Sequence, residues 1–197
     1  AELDAALAHV KRSGASIPFA RGDFPLPQFS SELDRILEEV ENGRGVALLR
    51  CIPRERYTDA ECELIYWGIG MHLGDPVSQN ARGHRLGHVR DEGKDIADPN
   101  ARAYQTSLRM DFHTDLLPID LLGLFCVRTA KSGGASKVVS ALTVHNTLRA
   151  ERPDLLEKFG IELTPTIVVL ERKSIAARLE SPRGSKDIER FLQLWLK

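Results

Sequence analysis

Arg109-Met110-Asp111-Phe112-His113-Thr114-Asp115 is the stretch whose reading decides the fold. On an extended strand, residues two apart point to the same face. His113 and Asp115 then share that face, where an imidazole nitrogen and a carboxylate oxygen can grip one metal ion. Such a pair is two-thirds of the 2-His-1-carboxylate set that holds non-haem Fe(II) and leaves positions open. A core strand has no packing reason to carry both groups on one face. Asp111 shares the face but lies outside the His-x-Asp spacing.

The surroundings read as a sheet protein with helices at its start. Leu121 to Thr129 is a strongly apolar strand, followed by the turn Lys131-Ser132-Gly133-Gly134-Ala135-Ser136 and a strand over Lys137 to Ser140. Upstream, Leu3, Ala6, Leu7 and Val10 form one stripe of a helix over 2–12. Ser30 or Ser31 is placed to cap a second helix, Glu32 to Asn42, with Leu33, Ile36, Leu37 and Val40 inward. Val46 to Cys51 reads as a short buried strand. Thr58 opens a third helix, with Cys62, Ile65, Tyr66 and Ile69 inward. Leu86 to Arg90 is a candidate strand, and 91–101 is a polar loop. A helix starts at Thr143, and Pro153 continues or restarts it. Thr166 to Leu170 and Phe191 to Leu196 are strand-like. Helices first and strands after argue for one α+β domain over 1–197, built around a β-sandwich or barrel.

Composition sets bounds. The 197 residues suffice for one domain with a real core. With 27 Lys and Arg against 28 Asp and Glu, the net charge is -1. No basic surface calls for nucleic acid. The local basic run Arg82 to Arg90, with His84 and His88, reads as a substrate-facing loop. Cys51, Cys62 and Cys126 form no CxxC pair. Cys51 and Cys126 are expected as buried free thiols in a reducing, cytoplasmic setting. No apolar run approaches the roughly 20 residues of a membrane span. Ala1 to Lys11 reads as an amphipathic helix rather than a signal peptide. Trp67, Phe125 and Trp195 are expected in the core.

Several motifs occur in order. Gly74-Asp75-Pro76-Val77, Phe112-His113-Thr114-Asp115, Arg128 to Ser136, and Ser140-Ala141-Leu142-Thr143-Val144-His145-Asn146 together resemble the taurine dioxygenase-like (TauD/TfdA) family of Fe(II)- and 2-oxoglutarate-dependent oxygenases. The resemblance covers roughly residues 25 to 160. It implies a double-stranded β-helix (jelly-roll) core with flanking helices and a small-molecule substrate oxidised with O2. It makes His113 and Asp115 iron ligands. It places Ser136 where the family has a Thr contacting 2-oxoglutarate, and a Ser hydroxyl keeps that donor. Asn80, Arg85 and His88 would border the substrate.

The resemblance departs from the pattern downstream. The family's distal iron-binding His has Ala176 or Ala177 at its position. Arg190 is the nearest candidate for the Arg that binds the far carboxylate of 2-oxoglutarate, with Arg178 second. A long family segment has no counterpart between Phe159 and Thr164, so either a segment is omitted from the sequence there or the domain is shortened in its C-terminal half. His145, the only His after Asp115, reads as structural. The alternative function is therefore a non-catalytic family member serving as a binding or scaffold subunit. The partners implied are a small molecule and O2, without nucleic acid or membrane. A homo-oligomer is compatible with the sequence.

Overall fold

The computed structural model describes residues 1–80, 82–97, 103–107, 110–113, 119–160, 166–171, 174–180 and 190–193. The chain falls into two units, each described by itself. One comprises Ala1–Asp111 with Ile119–Ser136, and the other Phe112–Pro118 with Lys137–Lys197.

The first unit is organised by three helices. α1 spans Glu2–Ser13 and buries Ala6, Leu7 and Val10. Glu2 and Asp4 lie in its first turn and Lys11 and Arg12 in its last, matching the helix dipole. Gly14 ends it at φ 70°, a left-handed conformation that glycine adopts without a Cβ penalty. α2 spans Phe29–Asn42, with Leu33 as its fully buried anchor. Neither Ser30 nor Ser31 caps it. Both fall inside the helix, and Gln28 is the N-cap residue, with no side-chain cap bond. The Glu2 carboxylate of α1 instead accepts from the backbone N–H groups of Gln28 at 2.7 Å and Phe29 at 2.9 Å. A carboxylate from a neighbouring helix satisfies the orphan donors that a local serine was expected to take.

α3 spans Asp59–Leu73 and buries Cys62, Ile65, Trp67, Gly68 and Ile69. Residues so spread around the helix make it the central one of its unit. Thr58 caps it as the sequence predicts. Its hydroxyl accepts from Glu61 N at 3.2 Å, while the Glu61 carboxylate accepts from Thr58 N at 2.9 Å. Lys11 of α1 donates to the same carboxylate at 2.7 Å. That bond, then those from Thr58, pull the Glu61 carboxyl from its ordinary 4.5 down to about 2. A depressed carboxylate contributes stability above the unfolded value, and loses it as pH falls through the folded one. Acid titration of the protein should therefore lower its unfolding midpoint progressively between pH 4.5 and about 2. Glu61→Gln should flatten that part of the profile, and an unchanged profile would remove Glu61 from the account.

Phe24, Leu26, Leu33, Ile65, Val10 and Cys62 are the largest fully buried side chains. Trp67 lies edge-on to Phe19 with centroids 6.2 Å apart. Its indole Nε1 donates to the Phe19 carbonyl at 2.9 Å, so the buried ring leaves no polar atom unsatisfied. Tyr66 points the other way, onto 121–125. Its hydroxyl donates to the Gly123 carbonyl at 2.6 Å and its ring meets Phe125 at 6.0 Å.

The second unit holds α4 (Ala141–Glu151), α5 (Pro153–Phe159) and an antiparallel pair, β1 (Thr166–Glu171) and β2 (Ser174–Glu180). Ser140 caps α4 by accepting from Thr143 N at 3.2 Å. Pro153 at the start of α5 restarts the helix, since its missing N–H would have been an orphan there. In the β1–β2 register Val169 pairs with Ala177 and Leu170 with Ile175. Ala176 is therefore the extra residue of a bulge.

Several expected strands are absent among the described residues. Residues 46–51, 86–90, 121–129 and 137–140 carry no ladder, and the described sheet is the β1–β2 pair. Cys51 takes a φ of 68°, which breaks an extended run. Leu48, Leu124 and Val138 are 81%, 72% and 70% exposed. These runs have strand composition, but a strand exists only when another pairs its N–H and C=O groups. Cys51 and Cys126 are correspondingly exposed, and only Cys62 is a buried thiol. Its burial pushes that thiol's pKa up, which makes it unreactive. Phe191–Gln193 continue a helical turn from Arg190 instead of a strand. Trp67 is buried as expected, Phe125 is half-buried, and Trp195 lies outside the described residues.

Candidate functional site

Loop 77–90 follows α3 and contains three of the expected substrate contacts. Asn80 builds the loop from within. Its side-chain Oδ1 accepts from the backbone N–H of Arg82 at 3.0 Å and of His84 at 3.3 Å. Its carbonyl accepts from Gly83 N at 3.0 Å and from the Ser78 hydroxyl at 2.8 Å. Gln79 N donates to the His84 carbonyl at 2.6 Å and closes the turn. Gly83, at φ 79°, supplies the left-handed step that such a closure needs.

His88 is tied to α3. Its Nε2 lies 2.8 Å from Glu63 Oε1, so imidazole and carboxylate pair across the loop–helix junction. The sequence offered no signal for this pairing beyond an acidic residue on the helix face. Arg85 lines a cleft of about 440 Å³ with Pro18, Phe19, Trp67, Met71 and Asp75. Arg85 is exposed, and no hydrogen bond or ion pair engages its guanidinium among the described residues.

Gly133 and Gly134 sit at φ 69° and 71°. Two consecutive left-handed residues turn the chain sharply, which explains the Gly-Gly pair. A Cβ on Gly134 would come within 2.7 Å of Ala130 Cβ, so the turn is also sterically closed. Ser136 follows it and is exposed. It belongs to the first unit, together with Asn80, Arg85 and His88.

The remaining candidates belong to the second unit. His113 is exposed. Asp115 lies outside the described residues, so the geometry of the pair is not described. Among the described residues no three His, Cys, Asp or Glu side chains gather as a metal would require. Ala176 is exposed and Ala177 half-buried on β2. A methyl group offers no lone pair, so neither supplies a third ligand. Arg178 donates to the carbonyl of Gly160, which ends α5, and to Glu180 Oε1 at 3.2 Å. Its guanidinium thus helps hold the helix end against the sheet. Arg190 is exposed at the start of its helical turn.

A family model described as taurine catabolism dioxygenase TauD, TfdA family matches residues 9–185. The chain belongs to the TauD/TfdA family. The match runs through the His113-Thr114-Asp115 motif and continues past the β1–β2 pair, beyond the 25–160 span that the motifs mark out. The chain is 35% identical to the FR-33289 synthase of Streptomyces rubellomurinus, over 79% of this chain and 46% of that protein. It is 26% identical to the taurine hydroxylase-like protein SAT17 of Stachybotrys chartarum, over 80% of this chain and 42% of that protein. It therefore spans about half the length of the curated relatives it matches. No solved structure matches it significantly. Among the described residues no helix is long and apolar enough to cross a membrane.

Proposed function

We propose that the chain carries part of an Fe(II)- and 2-oxoglutarate-dependent oxygenase site that acts on a small molecule with O2. The observation that carries this reading is the family match over residues 9–185, a range that includes His113-Thr114-Asp115. The donor chemistry of these two residues suits iron: a neutral imidazole nitrogen and a carboxylate oxygen, with the rest of the coordination sphere open. The fit rests on donor chemistry, since Asp115 lies outside the described residues, and Ala176 and Ala177 carry no donor atom for a third position.

In this reading His113 and Asp115 hold the metal. When bound, Fe(II) together with 2-oxoglutarate supplies the means to activate O2 against an unactivated C–H bond. The Ser136 hydroxyl donates to the co-substrate, and Arg190 pairs with its far carboxylate as the planar guanidinium fork allows. Arg178 is the second candidate, although its bonds to Gly160 and Glu180 already engage it. Asn80, Arg85 and His88 border the substrate. The family's jelly-roll core with flanking helices would be the frame, and the three unpaired cysteines fit a reducing, cytoplasmic compartment.

The test is an anaerobic titration with Fe(II) and 2-oxoglutarate, followed in the visible range. A weak charge-transfer band that needs both additives supports the oxygenase site. Folded protein without the band rejects it.

A second reading is favoured by Ala176 and Ala177, which lack the atoms of a third ligand. The chain would then be a non-catalytic family member, a binding or scaffold subunit. On that reading His113→Ala leaves function intact, and a loss of function rejects it.

A further inference from the structure

The hydrogen bonds of loop 77–90 determine more than its shape. Backbone N–H groups can only donate, so the atom of Asn80 facing Arg82 N and His84 N must be the carbonyl Oδ1. The amide orientation is thereby settled by two independent donors, which is the information that such groups ordinarily lack. The NH2 group then faces His84 Nδ1, at 3.1 Å. An amide NH2 also only donates. His84 Nδ1 must accept, so in the neutral ring the proton sits on Nε2.

Nε2 carries a proton in the imidazolium as well. The outer nitrogen of His84 is therefore a donor in either charge state. His84 is exposed, and among the described residues no hydrogen bond engages its Nε2. The same loop carries Arg82 and Arg85, which have no ion pair among the described residues, and His88, whose Nε2 lies 2.8 Å from Glu63 Oε1. Its Nε2–H is uncommitted among the described residues, on a loop that also carries two arginines.

We propose that Asn80 is a positioning residue that locks His84 into the Nε2–H tautomer, so that this loop presents the substrate with a hydrogen-bond donor and not a base. The substrate class this selects is one with an acceptor oxygen at that point: a carbonyl, a hydroxyl or an oxyanion. The role toward substrate rests on the oxygenase reading above. The tautomer does not.

The experiment is long-range 1H–15N correlation on histidine-labelled protein, at a pH where the ring is neutral. Loss of one signal set in His84→Gln assigns the residue among the six histidines. His84 should show an unprotonated Nδ1 and a protonated Nε2. Asn80→Asp keeps a carboxylate oxygen for the two backbone N–H groups and turns the second oxygen toward Nδ1. It should invert the tautomer to Nδ1–H, with the backbone amide shifts of Arg82 and Gly83 little changed. A wild-type ring protonated at Nδ1, a free-imidazole mixture, or an Asn80→Asp variant with unaltered tautomer overturns the proposal. Absence of the iron and 2-oxoglutarate band with the Nε2–H tautomer intact would reject the oxygenase reading and leave the loop assignment standing.

Discussion

On the proposed oxygenase reading, His113→Ala should abolish the visible band expected with Fe(II) and 2-oxoglutarate, and should weaken iron binding by at least about 100-fold. Changing a partner that merely orients a metal ligand typically costs about 10–100-fold in affinity. Removing the ligand itself, where only two protein donors are in view, should exceed that. His113 is exposed, so the alanine variant should fold as the parent does, and circular dichroism checks this. The opposite change adds a donor. Ala176 is the bulged residue of β2 and Ala177 its neighbour across from Val169. Ala176→His or Ala177→His should tighten iron binding about tenfold or more at whichever position faces the metal. Iron content after desalting measures both effects. Equal retention by parent, His113→Ala and both gain variants would show that iron does not use this site.

The second large effect lies in the core. Phe24 is wholly buried, stacked on Phe19 at 6.2 Å. Its backbone carbonyl is 2.8 Å from His72 Nε2, which donates to it. Its ring fills the space that Gly68 leaves open on α3, so closely that a Cβ on Gly68 would overlap the ring. Phe24→Ala should cost about 3–5 kcal/mol, from lost transfer energy and the cavity left behind. Gly68→Ala should cost about 1–3 kcal/mol through overpacking. The two changes compensate in space, because the smaller side chain makes room for the new methyl. The double variant should therefore be more stable than the sum of the singles predicts, by more than the few tenths of a kcal/mol expected for independent sites. Denaturant unfolding of the four proteins measures this coupling, and strict additivity would show that the two residues do not share this space.

Much of the first unit is legible in the sequence because its determinants are local. The stripe Ala6, Leu7 and Val10 and the Thr58–Glu61 capping box each act within a turn or two of helix. The cap of α2 is not legible. Glu2 lies 26 residues before Gln28, and nothing in either segment announces the other. The same holds for His88 with Glu63 and for Tyr66 with Gly123, where contact depends on how a loop returns to α3. The expected strands at 46–51 and 121–129 show the reverse error. Their apolar composition is real, but composition describes only one side of a ladder.

The sequence by itself determined the family, the His113-Thr114-Asp115 motif and the absence of a ligand side chain at Ala176 and Ala177. Each is a matter of residue identity and order, which no folding can alter. Only the tertiary structure decided that Asn80 spends its side chain on its own loop and thereby sets the proton of His84. Hydrogen-bond direction depends on which donor faces which acceptor, and that follows from where the backbone places them.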